Sequence, residues 1–205
     1  MNGCRPLEIA EYLTVCGAFS GRYALRDKNL FILGCSTGYR IRELLSLRVR
    51  DGVEALSCGR LVREERYMKA GTRGVLLADP ARAALISQIE YMQREKFKPS
   101  SYLFRAQGPK NTPLSRRQAH RILGRAYKSA DLCGKLATHT MRKTYAKIMY
   151  DSFTEQAQMN GAIDPVDELR KALGHRDRGS TVAYIDWDQG PYRTATSVLN
   201  QLGGK

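Results

Sequence analysis

The stretch Leu-Gly-His-Arg-Asp-Arg-Gly-Ser-Thr-Val-Ala-Tyr, residues 173–184, decides how the rest of this chain is interpreted. In it, His175 directly follows a glycine, and a polar turn leads from this histidine to Tyr184 on a short segment with helical character. The pattern alone is weak evidence for chemistry, because the chain contains 11 tyrosines and any one of them more often serves packing. Its meaning depends on what lies upstream.

Two upstream stretches combine polar side chains with the start of a helix. The run Thr-His-Thr-Met-Arg, residues 138–142, carries His139 and Arg142 three positions apart, so the two side chains share one face of a helix. The run Thr-Gly-Tyr-Arg-Ile-Arg-Glu-Leu-Leu, residues 37–45, places Arg40 just after a glycine break, where its side chain can turn into a cleft. Alone, Arg40 would be interpreted as a solvated surface arginine.

In this order the three stretches resemble the catalytic motifs of the tyrosine recombinase, or phage integrase, family. The resemblance implies a site-specific DNA recombinase in which Tyr184 attacks phosphorus, forms a 3′-phosphotyrosyl link and releases a 5′-hydroxyl. It implies that Arg40 and Arg142 bind the scissile phosphate. By the same resemblance His139 handles a proton near the nucleophile, and His175 hydrogen-bonds the phosphate. Tyr184 lies at the offset from His175 that the family shows, which singles it out among the tyrosines.

Two supporting roles follow from the same resemblance. Glu43, three residues after Arg40, is expected to orient the active-site cations without touching the phosphate. The stretch 68–75 resembles the hairpin turn on which the family carries a lysine that protonates the leaving 5′-oxygen, which implies this role for Lys69. A solvated turn lysine fits the sequence nearly as well, and Arg73 is a competing candidate.

The chemistry of phosphodiester cleavage explains why these residue types are needed. A nucleophile must attack, protons must move to and from the reacting oxygens, and cations must offset the charge that grows on the phosphoryl oxygens. Guanidinium suits the last task because its planar fork binds two oxygens and stays protonated. Such a reaction needs neither ATP nor a divalent ion, so we expect no cofactor and no metal. A metal site at His139 and His175 would lack a third ligand at a telling spacing.

The charge of the chain indicates the kind of partner. Its 34 Lys and Arg against 20 Asp and Glu give a net charge of +14, which favours a polyanion such as double-stranded DNA. An anionic membrane surface is the second possibility, but no lipidation signal or bilayer-length apolar run supports it. The five cysteines are odd in number and form no Cys-x-x-Cys pair, which is typical of reduced thiols. Because the first residues show no signal-peptide pattern and no apolar run is long enough to span a bilayer, we expect a cytoplasmic protein.

A second DNA contact is predicted on the helix that begins after Ser115, where Ser-x-x-Gln forms a capping box. Its basic residues recur near helical spacing and form a stripe opposite the apolar one. This stripe either contacts DNA, more readily phosphates than bases, or is an ordinary solvated helix face. The stripe consists of Arg117, Arg121, Arg125 and Lys128, and the candidate base readers are Arg116, Gln118 and His120.

The sequence predicts an α+β fold that is mostly helical, with one small antiparallel sheet. Helical patterns cover residues 6–19, 27–35, 40–48, 80–94, 115–128, 138–150, 167–173, 179–185 and 193–202, and strand-like runs cover 53–56, 61–67 and 75–77. Residues 34–38 are expected to break the second helix, Thr138 is expected to be an N-cap, and residues 151–165 are expected to be irregular.

The resemblance covers nearly the whole chain, so residues 1–205 are expected to form a single catalytic domain without an N-terminal core-binding domain. By its small size the chain resembles the fimbrial-switch invertase type of recombinase, which consists of little beyond the catalytic domain. The sequence is equally compatible with a catalytic half cut from a longer protein. The family acts as a homotetramer on paired DNA sites, and residues 186–205 form a tail that is a candidate for docking on a neighbouring protomer. Two other functions stay open: a DNA-binding regulator with this fold but no turnover, and a type IB topoisomerase that relaxes supercoils.

Overall fold

A computed structural model describes residues 3–63, 73–161 and 163–185 of the chain. In these ranges helices dominate, and the strands form one two-stranded antiparallel sheet, so the predicted fold class is confirmed. The predicted terminal helix at 193–202 lies outside the described residues. The elements in chain order are α1 (Ile9–Gly17), α2 (Ala24–Thr37), α3 (Ile41–Leu45), α4 (Val49–Cys58), β1 (Arg60–Arg63), β2 (Arg73–Leu76), α5 (Asp79–Arg94), α6 (Arg116–Ser129), α7 (Thr138–Asn160), α8 (Pro165–Leu173) and α9 (Arg178–Val182).

Helix α2 is the central element, because it packs against both α5 and α7. Its Leu30, Phe31 and Leu33 are fully buried, which removes a large apolar area from water. The predicted break at 34–38 is wrong for its first residues, since Gly34 lies inside the helix. A Cβ at Gly34 would stand 2.5 Å from the sulfur of Met141, so glycine lets α7 approach closely. The helix ends at Gly38, which has a left-handed φ of 60°.

Gly38 combines two demands that only glycine meets, and replacing it with alanine is expected to destabilise the fold. The left-handed backbone costs an L-residue about 1–2 kcal/mol, and the new Cβ would lie 2.3 Å from the Tyr145 ring, which adds roughly 1–3 kcal/mol of overpacking. Gly161 is the matched control, because it has φ 63° with nothing within 4 Å of a Cβ. Urea unfolding of Gly38→Ala and Gly161→Ala should show the larger loss for Gly38, and equal losses would contradict the packing.

Residues 53–56 are not a strand, as the sequence predicted, but part of helix α4. The buried residues of α4 are Val49, Gly52 and Ala55, and their spacing of three residues is typical of a helix. Gly52 packs against Ile89 of α5. A short run of apolar residues in the sequence does not reveal such a contact. The segment 40–48 also differs from its prediction, since only the five residues of α3 are helical before the chain turns into α4.

Residues 151–165 are not irregular, because α7 continues to Asn160 and α8 begins at Pro165. Side-chain pairs four residues apart support the extension, among them Lys147 with Asp151 at 2.9 Å. Gly161 then ends the helix with a left-handed φ. The predicted N-cap at Thr138 is one residue off, since Ala137 holds that position and Thr138 opens the helix.

Helix α8 rests on α7 through a second, smaller apolar cluster, and α9 packs against α8. The cluster consists of Tyr145, Ala146, Leu169 and Leu173. Tyr184 and Ile185 pack against it. This cluster fixes the stretch that carries His175 and Tyr184 against the first turns of α7. Across the described ranges, no helix is long and apolar enough to cross a membrane.

Candidate active site

The guanidinium group of Arg142 joins three distant parts of the chain. It lies in the second turn of α7, and only 2% of the residue is exposed. One of its nitrogens donates to the carbonyl oxygen of Gly38, and the other donates to the carbonyl oxygen of Leu173 at 2.7 Å. The same second nitrogen lies 3.3 Å from Nε2 of His175. Burial lowers the pKa of Arg142 to about 10, which still leaves it charged at neutral pH.

Arg40 is held at the start of α3 by Glu43. The carboxylate of Glu43 accepts a hydrogen bond from the backbone N–H of Arg40 at 2.6 Å and one from its guanidinium at 3.2 Å. Glu43 is buried, whereas 38% of the Arg40 side chain remains exposed. Glu43 therefore orients the Arg40 guanidinium, and part of that guanidinium-bearing side chain stays open to solvent.

His175 lies between Arg142 and Thr181. Its Nε2 faces the Arg142 guanidinium, and its Nδ1 is 3.0 Å from the hydroxyl oxygen of Thr181. Desolvation by burial lowers the pKa of His175 to about 4, and the charges of Arg142 and Arg40 act in the same direction. The imidazole is therefore neutral at physiological pH.

Tyr184 packs against His175 in an edge-to-face arrangement, with ring centroids 5.4 Å apart and an interplanar angle of 77°. Its hydroxyl oxygen is buried. Burial raises the pKa of Tyr184 to about 12, while the positive charges of Arg142 and Arg40 oppose the rise. The ammonium of Lys143 stands 5.5 Å from the ring centroid. The phenol is thus neutral at rest, close to cations that favour its ionised form.

His139 lies in the first turn of α7 and is exposed to solvent. Although its side chain keeps contact with water, desolvation is the largest cause that lowers its pKa. The positive charges of Arg142 and Arg40 lower it further. Both histidines therefore lie within the field of the same two arginines.

Acid is expected to destabilise the fold through these two histidines. A histidine whose pKa is lowered by folding stays neutral in the folded protein at a pH where the unfolded chain already binds a proton, so stability is lost as the pH falls. For His175 the loss of stability occurs as the pH falls from the ordinary pKa of 6.5 to the lowered pKa of about 4. The pKa of His139 is also lowered, so this residue changes stability in the same direction. Both rings keep some solvent contact, so each slope should stay below the ~1.4 kcal/mol per pH unit of a fully buried group.

Urea unfolding of the wild type and of His175→Gln, at about pH 7 and about pH 5, checks this expectation. The variant should lose less stability between the two conditions than the wild type. An identical loss would mean that His175 is protonated equally in the folded and unfolded states.

Lys69 lies outside the described residues, but its competitor Arg73 is well defined. Arg73 is buried at the start of β2, where it donates to the carbonyl oxygen of Thr37 at 2.7 Å and to that of Gly38 at 3.4 Å. Its guanidinium also lies 4.9 Å from the centroid of the Tyr39 ring. These contacts hold it beneath the loop that precedes Arg40. Arg73 therefore stabilises that loop and is a poor substitute for a mobile lysine on a turn.

The residues predicted to contact DNA lie on α6 as expected. Ser115 and Gln118 form the predicted capping box, so the carboxamide oxygen of Gln118 accepts from the Ser115 N–H and is not available to a base. The apolar face of α6 is buried, and its basic side lines a groove whose other wall is the segment 20–26. Apart from the half-buried Gln118, the predicted residues are exposed: Arg116, Arg117, His120, Arg121, Arg125 and Lys128.

The structure thus brings five predicted residues into one site, while the basic side of α6 lines the groove formed with segment 20–26. Sequence reasoning missed Thr181 and Lys143 and offered Arg73 only as an alternative to Lys69, because no motif spacing marks a contact that forms only in three dimensions. Among the described residues, no three or more His, Cys, Asp or Glu side chains gather in a way that could hold a metal ion. The residues that converge are Arg40, His139, Arg142, His175 and Tyr184.

Solved structures share the fold. The crystal structure of XerA recombinase superposes with a TM-score of 0.69 at 20% sequence identity, covering 94% of this chain and 64% of that one. A post-cleavage complex of the XerH site-specific recombinase with a palindromic difH substrate gives 0.68 at 20% identity, covering 96% of this chain and 53% of that one. The chain thus spans less than two thirds of the length of either recombinase.

Sequence comparison identifies the family. A probable integrase/recombinase of Bacillus subtilis (strain 168), YoeC, is 30% identical over 179 residues, which is 86% of each chain. The sequence profile of the phage integrase family matches residues 7–190. These matches confirm the family and the enzyme class that the sequence predicted, a tyrosine-type site-specific recombinase. The chain therefore belongs to the phage integrase family.

Proposed function

We propose that this chain breaks and rejoins DNA strands at a specific site through a covalent 3′-phosphotyrosyl intermediate on Tyr184. One observation carries the proposal most directly: Arg142 contacts the carbonyl oxygen of Gly38 and the ring of His175. Three motifs that are far apart in the sequence therefore share one site. The packing of Tyr184 against His175 adds the nucleophile to it.

Arg40 and Arg142 are the proposed clamp on the scissile phosphate. In the transition state negative charge grows on the phosphoryl oxygens, and two fixed guanidinium groups offset it without having to reorganise. The buried Glu43 keeps Arg40 oriented, and the two carbonyl oxygens that accept from Arg142 fix the plane of its guanidinium. These contacts support a preorganised cationic site.

Bond formation in this proposal occurs between the phenolic oxygen of Tyr184 and phosphorus, while the bond from phosphorus to the 5′-oxygen breaks. The phenol gives up its proton as it attacks, with His139 as the proposed acceptor, since desolvation and nearby cations keep this imidazole neutral. Lys69 is the proposed donor of the proton that the leaving 5′-oxygen takes up. Because the covalent link conserves the energy of the broken bond, the reverse attack by a 5′-hydroxyl rejoins the strand.

Double-stranded DNA is the proposed partner. The net charge of +14 favours a polyanion, and the exposed basic side of α6 offers phosphate contacts beyond the reacting one. The structural resemblance to XerH bound to its difH substrate supports the same partner. All five cysteines are free thiols, which suits the cytoplasm as the proposed location.

We further propose that the protein works as a homotetramer on paired sites and that residues 186–205 dock on a neighbouring protomer. This rests on the family resemblance. Sedimentation of the protein on DNA with two sites tests it by comparing the full chain with a chain that ends at Ile185. Loss of the higher assembly on truncation is expected, and an unchanged assembly would exclude the tail.

Suicide DNA substrates, which trap the cleaved strand, test the proposed reaction. A covalent protein–DNA adduct is the expected result. Retardation of DNA without an adduct would instead favour a DNA-binding regulator. Relaxation of a supercoiled plasmid that lacks a recombination site would favour a type IB topoisomerase activity.

A further inference from the structure

Thr181 connects His175 to the segment that presents the nucleophile. It is fully buried on α9, and its hydroxyl oxygen lies 3.0 Å from Nδ1 of His175. Its carbonyl oxygen accepts hydrogen bonds from the backbone N–H groups of Tyr184 and Ile185, each at 3.0 Å. One residue therefore touches the imidazole through its side chain and holds the nucleophile through its backbone.

The hydrogen bonds around His175 define which of its nitrogens carries the proton. A guanidinium group has donors and no acceptor, so Nε2 of His175, which faces Arg142 at 3.3 Å, must be the acceptor. In a neutral imidazole the proton then sits on Nδ1, which donates to the hydroxyl oxygen of Thr181. In this state the ring presents a lone pair toward Arg142, and a lone pair cannot donate a hydrogen bond to a phosphate oxygen.

We propose that Thr181 is a positioning residue that fixes the His175 ring and lets it exchange one tautomer for the other when the scissile phosphate binds. The proposal rests on the function proposed above. A phosphoryl oxygen that replaces the Arg142 N–H at Nε2 requires a donor there. Solvent water supplies the proton taken up at Nε2 and accepts the one released from Nδ1, so the charge of the ring is unchanged; His175 is only partly buried. The Thr181 hydroxyl then donates to Nδ1, because a hydroxyl serves as donor and as acceptor.

Two substitutions separate the hydroxyl from the shape of the side chain. Thr181→Val keeps the branched shape but can neither accept from nor donate to Nδ1, whereas Thr181→Ser keeps the hydroxyl. Thr144→Val is the matched control, because Thr144 is also a buried threonine and its hydroxyl bonds two backbone groups, the Leu7 N–H and the Thr140 carbonyl. It is expected to lower stability without changing the state of His175.

The readouts are the tautomer of His175 in the free protein, from long-range proton–nitrogen correlations of labelled histidine, and the rate of adduct formation with a suicide substrate. The chain has three histidines, so His175→Gln assigns the signal. The wild type, Thr181→Ser and Thr144→Val should show the proton on Nδ1. In Thr181→Val the Nδ1–H loses its acceptor, while the Arg142 N–H at Nε2 still favours this tautomer, so the preference should weaken. The adduct rate of this variant should fall roughly tenfold or more, with Thr181→Ser close to the wild type and DNA retardation unchanged.

Two results would overturn the inference: a Thr181→Val protein with the wild-type tautomer and rate, or a Thr181→Ser protein as impaired as Thr181→Val, which would assign the effect to packing. A wild type without any adduct would overturn the proposed function instead. In that case the spectra of the free protein still decide whether the Thr181 hydroxyl helps to hold the proton on Nδ1 of His175.

Discussion

Tyr184→Phe is expected to abolish the covalent adduct while leaving DNA retardation within about twofold of the wild type. The substitution removes one oxygen and keeps the ring that packs edge-to-face on His175, so the site keeps its shape. Without a nucleophile the rate should drop by a factor on the order of 10⁴ or more. Denaturing electrophoresis of labelled suicide substrate measures the adduct, and native electrophoresis measures binding.

The control for this substitution is Tyr12→Phe. Tyr12 lies on α1, where its ring stacks on Phe31 at 5.5 Å, and removal of its hydroxyl should leave the adduct yield unchanged. Melting curves of both variants show whether folding is intact. An adduct of normal yield from Tyr184→Phe would mean that another residue is the nucleophile.

Arg142→Lys is expected to impair both the reaction and the fold. An ammonium group cannot reproduce the planar fork that reaches the carbonyl oxygens of Gly38 and Leu173 and the ring of His175 together. Burial beside other cations would also lower the pKa of a lysine here, so part of the positive charge would be lost. The adduct rate should fall by roughly 10²–10³, and stability should fall by about 1–3 kcal/mol for a buried carbonyl left without its donor.

Single-turnover cleavage and urea unfolding measure the two effects of Arg142→Lys separately. Arg94→Lys on the exposed end of α5 is the control, and it should change neither quantity. A stable Arg142→Lys protein with wild-type cleavage would show that the guanidinium neither holds the loop nor clamps the phosphate.

The motifs of this chain could be interpreted from sequence because each one is local. The capping box at Ser115 predicted where α6 begins, since both partners lie within one turn. The spacing of His139 and Arg142, three positions apart, predicted that they share one face of a helix for the same reason. The position of Gly38, two residues before Arg40, indicated the turn that orients the Arg40 side chain.

What the sequence did not reveal depends on tertiary contacts. Residues 151–160 have a polar composition that resembles a loop, yet side-chain pairs and the absence of a breaker before Gly161 extend α7 through them. Residues 53–56 look like a strand until the contact of Gly52 with α5 is known. Thr181 and Arg73 acquire their meaning only when the second cluster and β2 bring them to His175 and Gly38. Such contacts join residues far apart in the chain and leave no periodic signal.

The central claim is that cations and imidazoles from separate motifs surround one phosphorus atom that Tyr184 attacks. Mass spectrometry of the peptide that remains attached to a nucleotide, after digestion of the adduct with a protease and a nuclease, tests this most directly. The phosphotyrosyl link is expected on the peptide that contains Tyr184. Attachment at any other of the tyrosines, or at a different type of residue, would contradict it.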